Sequence, residues 1–340
     1  MENIHPVDSF FVQFDDPFEW AKARISENGN YIRVPLPNTD LVVNYQQMNN
    51  NNYGPMALKK SVLTQNKNLT LFHENKDSMY FVNNKELLIL NNETFEGKKY
   101  TISGELKHLG SNFYFSSYHY NNAFLKGDTL YASLFFSSLN RTTSFFTNFK
   151  EYLKEPSIFR FKMEKDSLKV LDGLINRPEI ALLQTPNFNT YSIATKNKLY
   201  VIFGGIDTLY SYDFISNQEE KIALHNPFYR ENNEYDWDNL DFSYDSKFNI
   251  ENFTYRGVYL SVDSNNLILF FNAPYWEEEK IPYDNHLYAM VLNEDFKIKK
   301  FYNLGRNYDA NCIIGIPEKG LAIPYTNIEN EKVVYHIYRF

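Results

Sequence analysis

The sequence predicts an all-β protein, a six-bladed β-propeller of four-stranded antiparallel blades whose N-terminal strand completes the last blade. Three observations lead there. One hairpin phrase recurs six times along the 340 residues: an apolar strand, a tight turn rich in Asn, Gly, Lys and Asp, then a stronger apolar strand. Two further strand-like runs follow it, giving four strands per repeat at a period of about 50–70 residues, within the range of propeller blades that carry insertions. The second strand of each phrase is apolar nearly throughout rather than alternating, as a sheet covered on both faces requires.

In order, the phrases are "WAKARISENGNYIRVP" (20–35), "LTLFHENKDSMYFVN" (69–83), "AFLKGDTLYASLFF" (123–136), "YSIATKNKLYVIF" (191–203), "VYLSVDSNNLILFF" (258–271) and "CIIGIPEKGLAIPY" (312–325). Tyr31, Met79, Leu130, Leu199, Leu267 and Leu321 fall at equivalent positions of the second strands. Asn-Gly, Gly-Asp and Asn-Asn at the turns tolerate the positive φ that two-residue hairpin loops favour. Third and fourth strands are expected at 86–92 and 98–103, 157–163 and 168–174, 207–214 and 219–225, and 286–292 and 298–305. The sixth repeat supplies "VVYHIYRF" (333–340) as its third strand and then ends one strand short. "DSFFVQF" (8–14) precedes the first repeat without a partner and is expected to close the ring beside it, leaving no open edge there. One domain therefore spans 1–340, with blades starting near 20, 69, 114, 189, 255 and 311. A load of 29 Phe and 27 Tyr suits wedge-shaped gaps between twisted sheets.

Composition excludes some functions. Acidic residues outnumber Lys and Arg 42 to 34, a net charge of −8, so nucleic acid is not an expected partner. No run approaches the roughly 18–20 apolar residues of a membrane helix. The one cysteine, Cys312, sits in an apolar strand and forms no intramolecular disulfide, which suits a cytosol or an envelope equally. A monomer is expected. There is no GxSxG, Walker loop, GxGxxG or HExxH pattern, and the seven histidines are scattered singly, so no catalytic residue and no metal site is assigned.

With its six repeats and Asn-, Tyr-, Phe- and Lys-rich text such as "NNKELLILNNETFEGKKYTI" and "LYSYDFISNQEEKIAL", the chain resembles the secreted six-bladed propeller proteins of Bacteroides-type gut bacteria. Many of these are lipoproteins in families whose domain has no established function. The resemblance covers the whole chain and implies a place in the periplasm or at the cell surface, with a lipid-bearing leader that this chain lacks. It implies no catalytic residues.

A site is expected where the loops are long. The turns between first and second strands are short, whereas the insertions at 137–156, 174–189, 226–254 and 272–285 all emerge on the opposite face, and functional residues favour loops on a rigid scaffold. "NPFYRENNEYDWDNLDFSYDSKF" (226–248) offers Arg230, Tyr235, Asp236, Trp237, Asp238, Asp241 and Tyr244. "NAPYWEEEKIPYDN" (272–285) adds Tyr275, Trp276, Glu277, Glu278 and Asp284. Rings flanked by carboxylates suit a carbohydrate, stacked and hydrogen-bonded, or a cationic peptide through cation–π contact and ion pairing. Trp237 and Trp276 are the expected anchors, with Tyr235, Asp236, Asp238, Tyr275, Glu277 and Arg230 beside them. Two readings compete on the same face: a glycoside hydrolase or lyase using two carboxylates, and a protein scaffold with no small ligand. Asp236, Asp238 and Asp241 would offer calcium oxygen ligands, but without the Gly and distal Glu of an EF-hand loop. "TSFFTNFKEYLKEP" (143–156) has helical spacing of Phe145, Phe149, Tyr152 and Leu153. The sequons at Asn68, Asn92, Asn140 and Asn252 are expected to be chance.

Overall fold

The computed structural model describes residues 2–13, 24–25, 31–35, 41–49, 52–55, 59–60, 70–83, 85–94, 96–107, 113–115, 123–136, 154–178, 190–230, 251–261, 266–274, 285–310, 313–316, 318–326 and 332–340. Every regular element among them is a β-strand. The phrases are antiparallel hairpins: Arg24–Ile25 with Tyr31–Pro35, Thr70–Glu74 with Ser78–Asn83, Ala123–Lys126 with Thr129–Phe136, Thr190–Ala194 with Lys198–Phe203, Thr254–Leu260 with Leu267–Pro274, and Ile314–Ile316 with Gly320–Thr326. Met79, Leu130, Leu199, Leu267 and Leu321, equivalent in sequence, are all buried.

Each second strand pairs antiparallel with a third, and outer strands follow at Asn52–Pro55, Gly97–Ser103, Ser167–Asn176, Gln218–Ala223 and Ile298–Gly305. Beside the last third strand, Lys332–Tyr338, lies Asp8–Gln13, antiparallel, with Asp8 opposite Ile337 and Gln13 opposite Lys332. The same segment reaches further. Phe11 and Val12 pair in parallel with Asn52 and Tyr53 of the first unit, and Glu2 and Asn3 with Tyr302 and Asn303 of the fifth. Residues 2–13 thus stitch three units together. A similar parallel seam joins Thr101–Ser103 to Ser167–Lys169. The fourth unit stands as a separate four-stranded sheet, and its outer strand shows Gln218, Glu219, Glu220 and Lys221 exposed, a charged edge that discourages pairing with another chain.

The turns show why Asn, Asp and Thr recur. Asn75 Oδ1 accepts the N–H of Asp77 and Ser78, and Thr195 Oγ1 accepts those of Asn197 and Lys198 at the same place two units on. At the turns between third and fourth strands, Asn91, Asp213 and Asn293 each accept two backbone N–H groups. These bonds hold the Asp213 carboxyl below the usual carboxylate range, the Ser216 N–H first among them. The expectation of positive φ holds for Gly127 (62°), whereas neither Lys196 nor Asn197 adopts it. The threonine hydroxyl does there what a glycine does elsewhere, by closing the turn from the side chain.

The apolar cores lie between successive sheets. One joins the second and third units around Phe113, Phe115 and Phe161, and the next joins the third and fourth around Leu199, Val201 and Tyr210. Phe253, Tyr255 and Phe271 fill the space between the fourth and fifth units, and Phe270, Ile323 and Tyr338 that between the fifth and sixth. Consecutive residues of one strand, Phe270 and Phe271, are fully buried toward opposite neighbours. Leu267–Pro274 can read as a nearly unbroken apolar run only for that reason.

A polar element sits where the two chain ends meet. The Tyr308 hydroxyl lies 2.6 Å from Nδ1 of half-buried His336 and 2.8 Å from the Tyr338 hydroxyl, and the Tyr325 ring stacks on His336. Across the sheet, His336 faces Ser9 of the N-terminal segment. Burial lowers the His336 pKa, favouring a neutral ring that accepts from Tyr308. Below about pH 6.5 the unfolded chain binds a proton that the folded ring resists. Unfolding free energy therefore falls as pH drops through that range toward the lowered value. Urea melts at pH 7.5 and pH 5 should show His336→Gln losing less stability on acidification than the wild type. Equal losses would remove His336 as the cause.

Candidate functional site

Two long segments that the sequence singles out are rooted on neighbouring strands. The first leaves Gln218–Ala223 and returns at Thr254–Leu260. The second joins Leu267–Pro274 to Asn285–Leu292. Thr254 pairs with Asn272, Ala273 with His286 and Pro274 with Asn285, so three of the four roots share one end of the fifth sheet, and the other leaves the separate sheet of the fourth unit. Tyr235, Asp236, Trp237, Asp238, Asp241, Tyr244, Tyr275, Trp276, Glu277, Glu278 and Asp284 themselves lie outside the described residues, as do Cys312, the sequons at Asn68 and Asn140, and 143–153 of the expected helix. Arg230 is described and exposed, and its Nη1 donates to the carbonyls of Pro227 (3.1 Å) and Tyr229 (2.9 Å).

Beneath the first root is a buried polar node. The Tyr255 hydroxyl donates to Asp207 Oδ1 at 2.6 Å and accepts from Asn226 Nδ2 at 3.2 Å, while the Asn226 N–H donates to Asp207 Oδ2 at 2.9 Å. Asn226 Oδ1 accepts from the Phe228 N–H, and the Tyr229 ring packs edge-on against Phe253. Burial raises the Asp207 pKa despite the bonds from Tyr255 and Asn226 that favour its charged form. Burial likewise pushes the Tyr255 hydroxyl well up, with the Asp207 charge adding to it. Asp207 comes from the link between second and third strands of the fourth unit, Asn226 from the start of the long segment, and Tyr255 from the fifth unit. Together they fix the angle at which the segment departs.

A second chain of bonds crosses the fifth unit under the other root. Arg256 Nε donates to Asn272 Oδ1 (2.9 Å), Asn272 Nδ2 to the His286 carbonyl (3.3 Å), and Arg306 Nε to His286 Nε2 (3.4 Å). Three strands of the sheet contribute, with Arg306 directly following the outer strand Ile298–Gly305. Arg256 is the extra residue of a β-bulge, since Tyr255 pairs with Phe271 and Gly257 with Phe270. Gly257 is required there: a Cβ would meet the Tyr259 ring at 2.7 Å. Bulges of this kind re-aim a side chain out of the ladder.

The chain's net charge is concentrated in the sequence of these two segments. Residues 226–254 carry seven carboxylates against Arg230 and Lys247, net −5, and 272–285 carry four against Lys280, net −3. Their sum equals the net −8 of the whole chain, so the remainder is neutral. Among the described residues no three His, Cys, Asp or Glu side chains are grouped to hold a metal ion, and no helix is long and apolar enough to cross a membrane. Two sequons are structural: Asn92 Nδ2 donates to the carbonyls of Asn75 (2.7 Å) and Lys76 (3.1 Å), and Asn252 is buried.

Four-stranded antiparallel sheets packed face to face define a β-propeller. Solved structures agree. A member of the DUF4221 family from Bacteroides vulgatus matches with a TM-score of 0.70 at 16% identity, covering 99% of this chain and 98% of that one. The RRP9 WD40 repeats match with a TM-score of 0.52 at 8% identity, covering 99% of each chain. The resemblance to Bacteroides propellers of a domain-of-unknown-function family, read from the repeats, is thus met by a full-length structural neighbour of that kind. No protein-family model matches the sequence, and no curated protein does.

Sequence reading missed Asp207, Asn226, Tyr255, Arg256, Asn272, His286 and Arg306. No local signal marked them: Asn226 and Arg306 follow charged outer strands, and the others sit at or near the ends of strands read as apolar. Tyr255→Phe leaves Asp207 and Asn226 each short of a bond in a buried place and should cost about 2–3 kcal/mol at pH 7. The raised pKa of Asp207 means that the folded state holds its proton above the usual carboxylate range. The defect should therefore shrink near pH 4, where a neutral carboxyl tolerates the lost donor. Denaturant melts at both pH values check this; a defect equal at both would show that Asp207 is not its source.

Proposed function

We propose that the protein is a non-catalytic binding module: a ring of six blades closed by residues 8–13, whose loop-rich face holds a carbohydrate or, favoured by charge, a Lys- or Arg-rich peptide. The observation that carries this reading is the placement of charge. Two segments carry net charge equal to the −8 of the whole chain, three of their four ends lie on hydrogen-bonded strands of the fifth unit, and they also contain Trp237, Trp276, Tyr235 and Tyr275. A neutral sugar gains little from such a field, whereas a cationic chain gains steering, ion pairs and cation–π contact from one surface. Asp236, Asp238 and Glu277 are the proposed polar partners of the two tryptophans. The polar nodes under both roots support the reading by holding the segments in register on a rigid edge. A place at a bacterial cell envelope goes with the resemblance of the repeats to secreted Bacteroides-type propellers.

Ring closure is tested by removing residues 1–13. That segment pairs with three units, so its loss should lower the melting temperature by about 10 °C or more, with refilling by a synthetic peptide of the same sequence. An unchanged melt would refute the closure.

Ligand class is tested by thermal shift of the intact protein against basic peptides, neutral peptides and neutral oligosaccharides. A ligand at a hundred times its dissociation constant stabilises by about 2.7 kcal/mol. Basic peptides should stabilise the wild type, less so at 0.5 M salt, and Trp237→Ala or Trp276→Ala should abolish the shift while leaving the unliganded melt unchanged. A shift with oligosaccharide alone would assign the face to sugar. Silence with every probe would overturn the small-ligand reading in favour of a protein scaffold.

A further inference from the structure

We infer that the N-terminal segment is held by a latch that acid opens: protonation of His336 loosens residues 2–13 from the fifth and sixth sheets while the fourth sheet stays closed. The segment has two anchors at that place. Glu2 and Asn3 pair with Tyr302 and Asn303 of the fifth unit's outer strand, and Asp8–Gln13 pairs with Lys332–Tyr338 of the sixth. His5, Pro6 and Val7, between the anchors, are exposed. A relay of three side chains ties the same two sheets together. Tyr308 stands on the link that follows the fifth unit's outer strand, and its hydroxyl lies 2.6 Å from Nδ1 of His336 and 2.8 Å from the Tyr338 hydroxyl. Ser9 of the segment sits opposite His336 in the ladder. On its other side the segment has only the short parallel pairing of Phe11 and Val12 with Asn52 and Tyr53, so it opens more readily than a strand inside a sheet.

The relay has a direction. With a neutral ring, Tyr338 donates to Tyr308 and Tyr308 donates to Nδ1, so each hydroxyl proton has an acceptor. An imidazolium carries a proton on both ring nitrogens, and Nδ1 can then only donate. Tyr308 must turn its own proton to Tyr338, which is buried and whose proton then has no further partner among the described residues. The ring faces Tyr308 from the link, Tyr325 from the second strand, Tyr338 from its own strand and Ser9 from the segment, none of them charged near neutral pH. Asp309 flanks Tyr308 and Asp8 flanks Ser9, yet burial alone moves the ring's titration, downward, with no charge offsetting it. The stability tied to the neutral ring is complete above about pH 6.5 and is lost as pH falls toward the lowered value. Other ties between these sheets, Tyr259 to the Ala310 carbonyl and Ser261 to that of Phe340, do not titrate in that range.

The test is native-state hydrogen exchange of the intact protein, read by mass spectrometry at pH 7.5 and pH 5 and corrected for the intrinsic effect of pH on exchange. In the wild type, amides of residues 2–13 should open about fivefold more at pH 5, the worth of one net hydrogen bond. Those of Lys198–Phe203 and Thr208–Asp213 in the fourth unit should change little. His336→Gln, which can accept from Tyr308 without titrating, should make the opening of 2–13 equal at both pH values. Tyr308→Phe should open the segment already at pH 7.5 and flatten its response. His5→Gln, on the segment itself, should keep the wild-type response. Equal loosening of the segment and the fourth unit in the wild type would overturn the inference. So would a wild-type response in His336→Gln, or its loss in His5→Gln. The comparison of the two regions in the wild type decides the matter if a variant fails to fold.

Discussion

The structure depends on a covering problem. Each sheet presents two apolar faces, and neither can meet water without losing on the order of 25 cal/mol for every Å² left uncovered. Phe270 and Phe271 state the problem in two residues: adjacent on one strand, pointing opposite ways, both fully buried. A two-layer sandwich covers one face of each sheet. Covering both requires a neighbour on either side of every sheet, and a row of twisted sheets that must all have two neighbours bends round on itself. The aromatic load follows, because wide rings fill a gap that broadens away from the axis.

The same demand explains the ends of the chain. Residues 2–13 pair in register with strands of the fifth, sixth and first units. Local hydrogen bonding would have sufficed to add one strand to Lys332–Tyr338. The additional parallel pairings tie sheets to each other through backbone groups that would otherwise face water at an edge. The fourth unit lacks such a seam among the described residues and instead guards its outer strand with Glu219, Glu220 and Lys221. Pairing and charge are two solutions to one edge problem.

The strands were legible because their signal is redundant. Leu199, Leu267 and Leu321 recur in phase, the turns between them carry turn formers, and an error in any one residue leaves the period intact. The role of the turn residues was legible only by type. Asn91, Asp213 and Asn293 look like ordinary loop residues until each is seen accepting two backbone N–H groups at equivalent corners. The polar nodes were not legible at all. Asp207, Tyr255 and Asn226 are 48 residues apart from first to last and meet across two sheets, and nothing local distinguishes Asp207 from Asp213 six residues on. Tertiary placement alone makes one a buried hub and the other a turn cap, which is why their carboxyl pKa values move in opposite directions.

That divergence bears on how the described ends of the two acidic segments are held. Residues 226–254 and 272–285 both carry net negative charge, and the described ends of the first are held by apolar and polar contacts together: Phe228 packs on Phe271 and Tyr288, Tyr229 on Phe253, and short-range polar bonds add direction. Asp207 takes three elements into one node, and Asn272 spans two strands with its two amide atoms. Both nodes are shielded enough for their bonds to be strong and close enough to the edge to act on what leaves it. The described ends of both acidic segments are thus fixed by polar groups set among buried rings.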